Sequence, residues 1–374
     1  MKKKLIFFIS MIGLIFIFSS LKVEASVKDK NLAEYFSNIE GKYILSNEKI
    51  ELVVSDMKKR FEYSEDEIYF CNYKKMLDYS GNEYELVEFS PTGYAIYSKD
   101  FSSLLEISQK AISPYINYNE NLIYLGAQNY YIYDNLSFKL THCIYDEEIE
   151  LTNHNQEELM SFSNKMNYSI KKTISNNKLN YAKYASGEET ASISQPDIIK
   201  YANTHSFNEN NNCGYVAAAL LVFYAAKAWG YNYLFEPDSI SIDLVSSIQG
   251  DRNPDSWAPD IEGALNDYLN EKGYDKLAKV NMWHLPAHHT FYDRVLEDKP
   301  VALFGKVPRV GLSEKVDHVV VVYKVKRNFY QNFLGIRSYS NYEFTTHYGW
   351  DLTENEIILS ADAITIAGLV NIHK

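Results

Sequence analysis

Apolar and polar positions alternate in short runs through much of the stretch from Lys42 to Leu151. The runs "KYILSNEKIELVV" (42–54), "EIYFCNY", "EYELVEFS", "GYAIYS", "NLIYLG" and "YYIYD" are rich in Tyr, Ile and Val. Asn, Gly, Ser and Asp, which favour turns, separate them. This spacing predicts a mostly β region with antiparallel pairing over residues 27–151. Residues 152–195 are polar, carry several lysines and show no sustained apolar stripe. They read as a connector with room for one short helix.

The pattern changes again over residues 196–374. From Tyr215 to Trp229 there is no Gly or Pro, and the Ala and Leu of "NNNCGYVAAALLVFYAAKAWG" favour a helix over 213–229. Asn behind Cys213 suits the position before a helix start. "DIEGALNDYLNEKGY" predicts a second helix ending at Gly273, and "FYDRVLEDKP" a third. "VALFGKV" and "DHVVVVYKV" read as buried strands, "FLGIRSYS" more weakly so, and the tail from Glu343 ends in strand-like runs. Helices first and an antiparallel sheet afterwards make an α+β arrangement.

The extreme N-terminus bears on location rather than fold. Lys2, Lys3 and Lys4 precede an apolar run from Leu5 to about Phe18, and Val23-Glu24-Ala25 supplies small residues at a cleavage position. Residues 1–25 therefore read as a secretory signal peptide and the chain as secreted, with membrane contact only through that segment; the alternative is an uncleaved membrane anchor. A formal charge of −12, from 37 basic and 49 acidic residues, argues against nucleic acid as a partner. The 32 tyrosines read as compositional bias.

Cys71, Cys143 and Cys213 make an odd count, which outside the cell points to a leftover reactive thiol. Cys71 and Cys143 could pair, leaving Cys213. In the first turn of its helix, Cys213 would meet unsatisfied N–H groups and the positive end of the dipole, both of which favour a thiolate. The alternative is a small buried core residue. A thiolate needs a base. Of nine histidines, His318 is the best placed, opening the strand whose period-two face includes Val320 and Val322. There it is expected at the sheet edge, facing the Cys213 helix. His284 and His288 have metal-like spacing, but Pro286 lies between them and no zinc-peptidase Glu is present. No metal or organic cofactor is expected.

In order along the chain, "NNCGYVAAALLVFY", "LEDKPVALFGKV", "DHVVVVYKV" and "YEFTTHYGWD" resemble the landmarks of papain-like bacterial cysteine peptidases. The likeness is to streptopain-type secreted peptidases and to the peptidase domain that cleaves double-glycine bacteriocin leaders. "GYAIYSKDFSSLLEISQKAISPY" (93–115) resembles the inhibitory propeptide of streptopain-like zymogens. The resemblance implies a papain-like catalytic domain at 196–374, with a central helix packed on an antiparallel sheet. It also implies a propeptide-like domain at 27–151 acting as an intramolecular inhibitor, and a protein or peptide substrate. It makes Cys213 the nucleophile, His318 the general base and the Cys213 N–H one oxyanion donor. The family's Gln before the nucleophile is missing. Asn208, among Asn210, Asn211 and Asn212, is the nearest substitute, and Gln195 lies far back. Where the family has Asn two residues before the Gly of its "G-W" turn, this chain has His347. A neutral His347 could accept from the His318 ring, with Asn341 as the alternative and Trp350 as the shield. Those two departures also fit a second reading, a decayed papain-like module used for binding or associated with a toxin.

Overall fold

The computed structural model describes residues 32–37, 45–61, 68–144, 148–178, 185–204, 212–231, 240–254, 256–276, 278–306, 318–332, 334–349 and 356–374. The expected signal peptide, residues 1–25, lies outside them. Helix α1 (Leu32–Ser37) belongs to the unit Met1–Glu40, and Gly41–Lys374 forms a second compact unit. Among the described residues no helix is long and apolar enough to cross a membrane.

The second unit opens with helix α2 (Asn47–Phe61), where the Ile, Leu and Val content had pointed to a strand. Val53 and Met57, one helical turn apart, are its buried face. Glu48 in the first turn and Lys58, Lys59 and Arg60 in the last complement the helix dipole. Strands then follow: β1 (Tyr69–Leu77), β2 (Glu83–Ser90), β3 (Tyr94–Ser98), β4 (Leu104–Ser108), β5 (Leu122–Tyr124), β6 (Tyr130–Asp134), β7 (Lys139–His142) and β8 (Glu148–Glu150). Strands β4, β7 and β8 escaped the sequence reading. Strands β2–β4 are covered on both faces. Tyr84, Leu86, Tyr94, Ile96 and Leu105 enter the main core, while Val87, Ala95, Tyr97 and Ile107 pack with Val53 and Met57 of α2.

The expected connector is a structural element. Helix α3 (Asn153–Lys178) is a single helix, and β9 (Ala185–Ser192) pairs with a C-terminal strand. The buried side of α3 is Asn155, Leu159, Ser163, Met166 and Ile170. Their spacings of three and four are helical. Two of the five are polar, which is why no apolar stripe was visible. Ser163 accepts from the Tyr79 N–H, and Ser169 donates to Asp362 at 2.7 Å. Lys171 and Lys172, two of the lysines of the expected connector, are exposed on this helix. The Lys178 side chain and Lys183 lie outside the described residues.

The C-terminal half contains α4 (Pro196–Lys200), α5 (Cys213–Trp229), α6 (Ile242–Gln249), α7 (Ala258–Glu271), β10 (Lys279–His284), α8 (His288–Leu296), β11 (Val301–Gly305), β12 (His318–Gln331), β13 (Arg337–His347), β14 (Glu356–Ser360) and β15 (Ile366–His373). All strands join one sheet in the order β10-β15-β11-β12-β13-β14-β4-β3-β2-β1-β5-β6-β7-β8, with β9 beside the outer half of β12. The pairing is antiparallel except between β1 and β5. The fold is thus mixed α and β around a large, mostly antiparallel sheet. The N-terminal strands are continuous with the C-terminal ones through β4 and β14, where Glu106 pairs with Leu359, Ile107 with Ile358 and Ser108 with Ile357.

Helices cover the C-terminal strands on both faces. A Cβ on Gly368 would lie 3.0 Å from Ala258 of α7. Gly368 pairs with Phe304 and Phe304 with Val319, so α7 covers the face carrying Val319 and Val321. Helix α5 lies against α7, where Gly214 leaves no room: a Cβ there would sit 2.2 Å from Ser256 Oγ and 3.0 Å from Ile261. On the other face Phe291 of α8 packs on Phe344, with ring centroids 5.0 Å apart. Phe344 and Thr346 share that face with Val322, the partner of Thr346.

The fit at Gly214 yields a stability prediction. Gly214→Ala should lower unfolding free energy by about 1–3 kcal/mol, because the added methyl overpacks the α5–α7 contact. Gly263→Ala, at an α7 position with nothing within 4 Å, should raise it by roughly 0.5–1 kcal/mol through helix propensity. Urea midpoints of the two variants against the parent chain measure both.

Candidate active site

Cys213 is the first residue of α5, as the sequence pattern predicts. Every residue from Cys213 to Ala226 is buried, so α5 is the central helix of its half. Gly230, at φ 76° in the left-handed region that glycine tolerates, ends it. At the other end Asn212 stands at the cap position without giving a side-chain cap bond, and its Oδ1 is buried without a partner. The Asn212 carbonyl instead accepts from the Val216 N–H at 3.0 Å. Cys213 is 7% exposed at the positive end of the helix. Ser256, whose Oγ is buried and without a partner, packs against the same first turn beside Gly214. The sequence offered no sign of that contact, since Ser256 is far from Cys213 in the chain. None of the three cysteines forms a disulfide, so Cys71 and Cys143, which could have paired, do not.

His318 opens β12 and is 7% exposed. The start of β12 and the end of β13 lie together, because the two strands are antiparallel. Val216, in the first turn of α5, lies 3.5 Å from a Cβ built on Gly349. The helix end bearing Cys213 and the strand end bearing His318 therefore meet at one end of the sheet. They do not share a face. His318 pairs with Gly305 and alternates with Val319 and Val321, so its ring points away from the face that α5 and α7 cover. The expectation that His318 faces the Cys213 helix is corrected by this register.

On its own face His318 meets the N-terminal half. The Tyr348 ring lies 6.2 Å from the imidazole, and the Tyr348 hydroxyl is 3.4 Å from that of Tyr130 in β6. Burial pushes the His318 ring down to about 3, and the neighbouring His142 of β7 lowers it further. A hydrogen bond with the Tyr348 backbone works in the opposite direction. Because that bond favours the charged ring, its acceptor is the Tyr348 carbonyl. His142 is itself fixed. Its Nδ1 accepts from the Ile144 N–H at 3.2 Å, which leaves Nε2–H to donate to the Gln128 carbonyl at 3.0 Å.

His347, expected as the orienting third residue, has another task. It pairs with Val321 and so shares the α5 face, opposite to His318. Its Nδ1 accepts from the Gly349 N–H at 3.0 Å, leaving Nε2–H to donate to the Ala202 carbonyl at 2.9 Å. Burial pushes the ring down to about 4. His347 thus ties the end of β13 to the segment after α4. Asn341 lies six residues back along β13, about 20 Å from His347 at ~3.3 Å per residue. That distance removes it as an orienting group. Tyr348, the next residue after His347, is the one placed beside His318. A period-two reading anchored on His318 could have found it only with the β12–β13 register in hand. Asn208 and Trp350 lie outside the described residues. Gln195 precedes α4. Among the described residues no cluster of His, Cys, Asp and Glu could hold a metal. His284 is exposed, while His288 packs edge-on against Tyr342 and Phe344.

In comparisons with known proteins, the chain matches no protein-family model and no curated protein.

Two buried neutral histidines make stability fall in acid. A histidine whose folded pKa is depressed contributes stability that is fully present above the unfolded value of ~6.5 and is lost as pH falls towards the folded value. For His347 that window runs from ~6.5 down to about 4. Replacing it, as in His347→Gln, should lower the melting temperature near neutral pH by loss of the Ala202 and Gly349 bonds. The variant should also flatten the decline between about pH 6 and pH 4. Melting curves across that range, with NMR titration of the His347 ring, check both.

Proposed function

We propose that the chain is the latent precursor of a secreted, papain-like thiol peptidase, held in its inactive arrangement. The observation that supports this best is the pairing of positions around one end of the sheet. Cys213 occupies a helix N-terminus suited to a thiolate, while His318 at the same end is turned onto the face that the N-terminal strands cover. A ring with its pKa near 3 cannot take a proton from a thiol. Freed from burial and from His142, the same ring would return towards ~6.5 and could form an ion pair with the Cys213 thiolate. In this reading the N-terminal half inhibits by withholding the base.

Activation then requires His318 to move to the Cys213 side. The thiolate attacks a peptide carbonyl, and the imidazolium gives its proton to the leaving amine. Water activated by the neutral ring releases the acyl group. The Cys213 N–H would be one oxyanion donor, with a second from the asparagines at 208–212. The Tyr348 carbonyl, rather than His347 or Asn341, would orient the imidazole. Activating cleavage would fall between Lys178, the last residue of α3, and Ala185, the first of β9.

The test uses the full chain with a protease site placed between Lys178 and Ala185. Before cutting, iodoacetamide should label Cys213 slowly at about pH 6, where an ordinary thiol of pKa ~8.5 is unreactive. After cutting and removal of the N-terminal half, labelling should rise at least about tenfold and casein hydrolysis should appear. Cys213→Ala should abolish hydrolysis, and His318→Ala should return labelling to the profile of an ordinary thiol. Failure of labelling to rise in the cut, separated protein would overturn the proposal. That result would favour the decayed binding module, which the opposed faces of His318 and His347 also fit.

A further inference from the structure

We propose that Glu106 is a proton-controlled latch on the seam between the N-terminal strands and the C-terminal half: uncharged it holds the seam shut, and ionised it loosens it. The inference stands on the seam itself, whether or not Cys213 is a nucleophile.

Glu106 lies on β4, where that strand pairs with β14, and is fully buried. Its Oε1 accepts from the hydroxyls of Tyr94 on β3 and Tyr130 on β6. Its Oε2 is buried without a hydrogen-bond partner, and so is the hydroxyl of Tyr124 on β5. Tyr124 is nonetheless close enough to bear on the carboxyl. A proton on Oε2 would give both atoms a use, since the neutral acid can donate to the Tyr124 oxygen. An anion, even with donation from Tyr94, Tyr124 and Tyr130, would give up its water in a fully buried site, at a cost those bonds repay only in part.

No cation relieves that cost among the described residues that act on the carboxyl, which are Tyr94, Tyr124 and Tyr130. Tyr115, from the loop before β5, and Tyr348, beyond β13, complete the ring of phenols. The buried Lys74 is spent on Glu88 at 3.0 Å and on the Tyr115 carbonyl at 2.7 Å. Asp362, in the short turn packed on β4, is bonded to Ser169. Further along are His318 and His142, both buried. Tyr94, Tyr115, Tyr124 and Tyr130 are pushed well above 10, first by burial, and keep their protons at any ordinary pH. Glu106 is therefore the group of this cluster that titrates near neutrality, its pKa raised to about 7, first by burial.

The direction follows from proton binding. A carboxyl raised to about 7 in the folded chain, against the ordinary 4.5, binds its proton more tightly folded than unfolded. Its contribution is complete below the unfolded value and is lost as pH rises to about 7. The strain falls on one seam. Glu106 is bonded to Tyr130, Tyr130 touches Tyr348, and Tyr348 lies against His318. Charging Glu106 thus works against the contact that keeps His318 covered.

The experiment compares the full chain with Glu106→Gln, which keeps the shape and carries no charge. Urea unfolding from about pH 4 to about pH 8.5 should show the parent's folding constant falling relative to the variant. The expected fall is on the order of a hundredfold, between about 4.5 and about 7.5, and flat beyond. Hydrogen exchange, corrected for intrinsic rates, should show the parent losing protection with pH at Ile107, Leu359 and Tyr348 but not within α5. The variant should show no such loss. Parallel pH curves for the two proteins, or loss of protection spread evenly over the chain, would overturn the proposal. If Glu106→Gln does not fold, the parent alone decides. An infrared band of a protonated buried carboxyl should vanish across about pH 7, and Tyr130→Phe should move that midpoint upward. Absence of the band at about pH 5 would refute the latch.

Discussion

Three backbone pairs between β4 and β14 decide what the rest of the chain can do. They turn two sets of strands into one sheet and bring Tyr130 and His142 of the N-terminal half up to Tyr348 and His318 of the other. Main-chain hydrogen bonds of this kind are each worth only about 0.5–1.5 kcal/mol net. The seam must therefore draw its strength from the side chains that flank it. Those are apolar on one side, with Ile107 in the small core under α2. On the other side they are phenolic, around a buried carboxyl. A junction built this way is stable and still open to control by a single proton.

Burial, more than pairwise contact, sets the chemistry of the region. Two histidines and one carboxyl lie where water cannot solvate a charge, and all three are driven towards their neutral forms. For the histidines this disables a base and creates structural ties, as the bonds of His347 to Ala202 and Gly349 illustrate. For Glu106 it raises the pKa to about 7, so that the carboxyl titrates near neutrality. A latent peptidase would need such an arrangement, with a poised thiol at a helix start and its base withheld on the far face of a strand. A decayed module would tolerate it.

Much of the local structure was legible. Helix α5 begins and ends where its uninterrupted Ala and Leu run and Gly230 place it, and the valines of β12 announce a buried strand. The misreadings share a cause. In α2, β-branched residues suggested a strand, although Val53 and Met57 are spaced for a helix face. In α3, a buried stripe containing Asn155 and Ser163 looked polar because its partners, Tyr79 among them, are remote in sequence. The tyrosines read as compositional bias include Tyr94, Tyr124, Tyr130 and Tyr348, which enclose Glu106. The likeness to streptopain-type peptidases rests on the order of motifs alone.

By itself the sequence determined which residues begin elements, because capping, helix propensity and period-two alternation act over a few neighbours. It placed Cys213 at a helix start and His318 at a strand start. Only the tertiary structure decided which way each side chain points. That depends on the pairing of Gly305 with His318 and of Val321 with His347, contacts between segments far apart in the chain. A shift of one residue in such a register turns every side chain of the strand to the other face, and no local pattern records it.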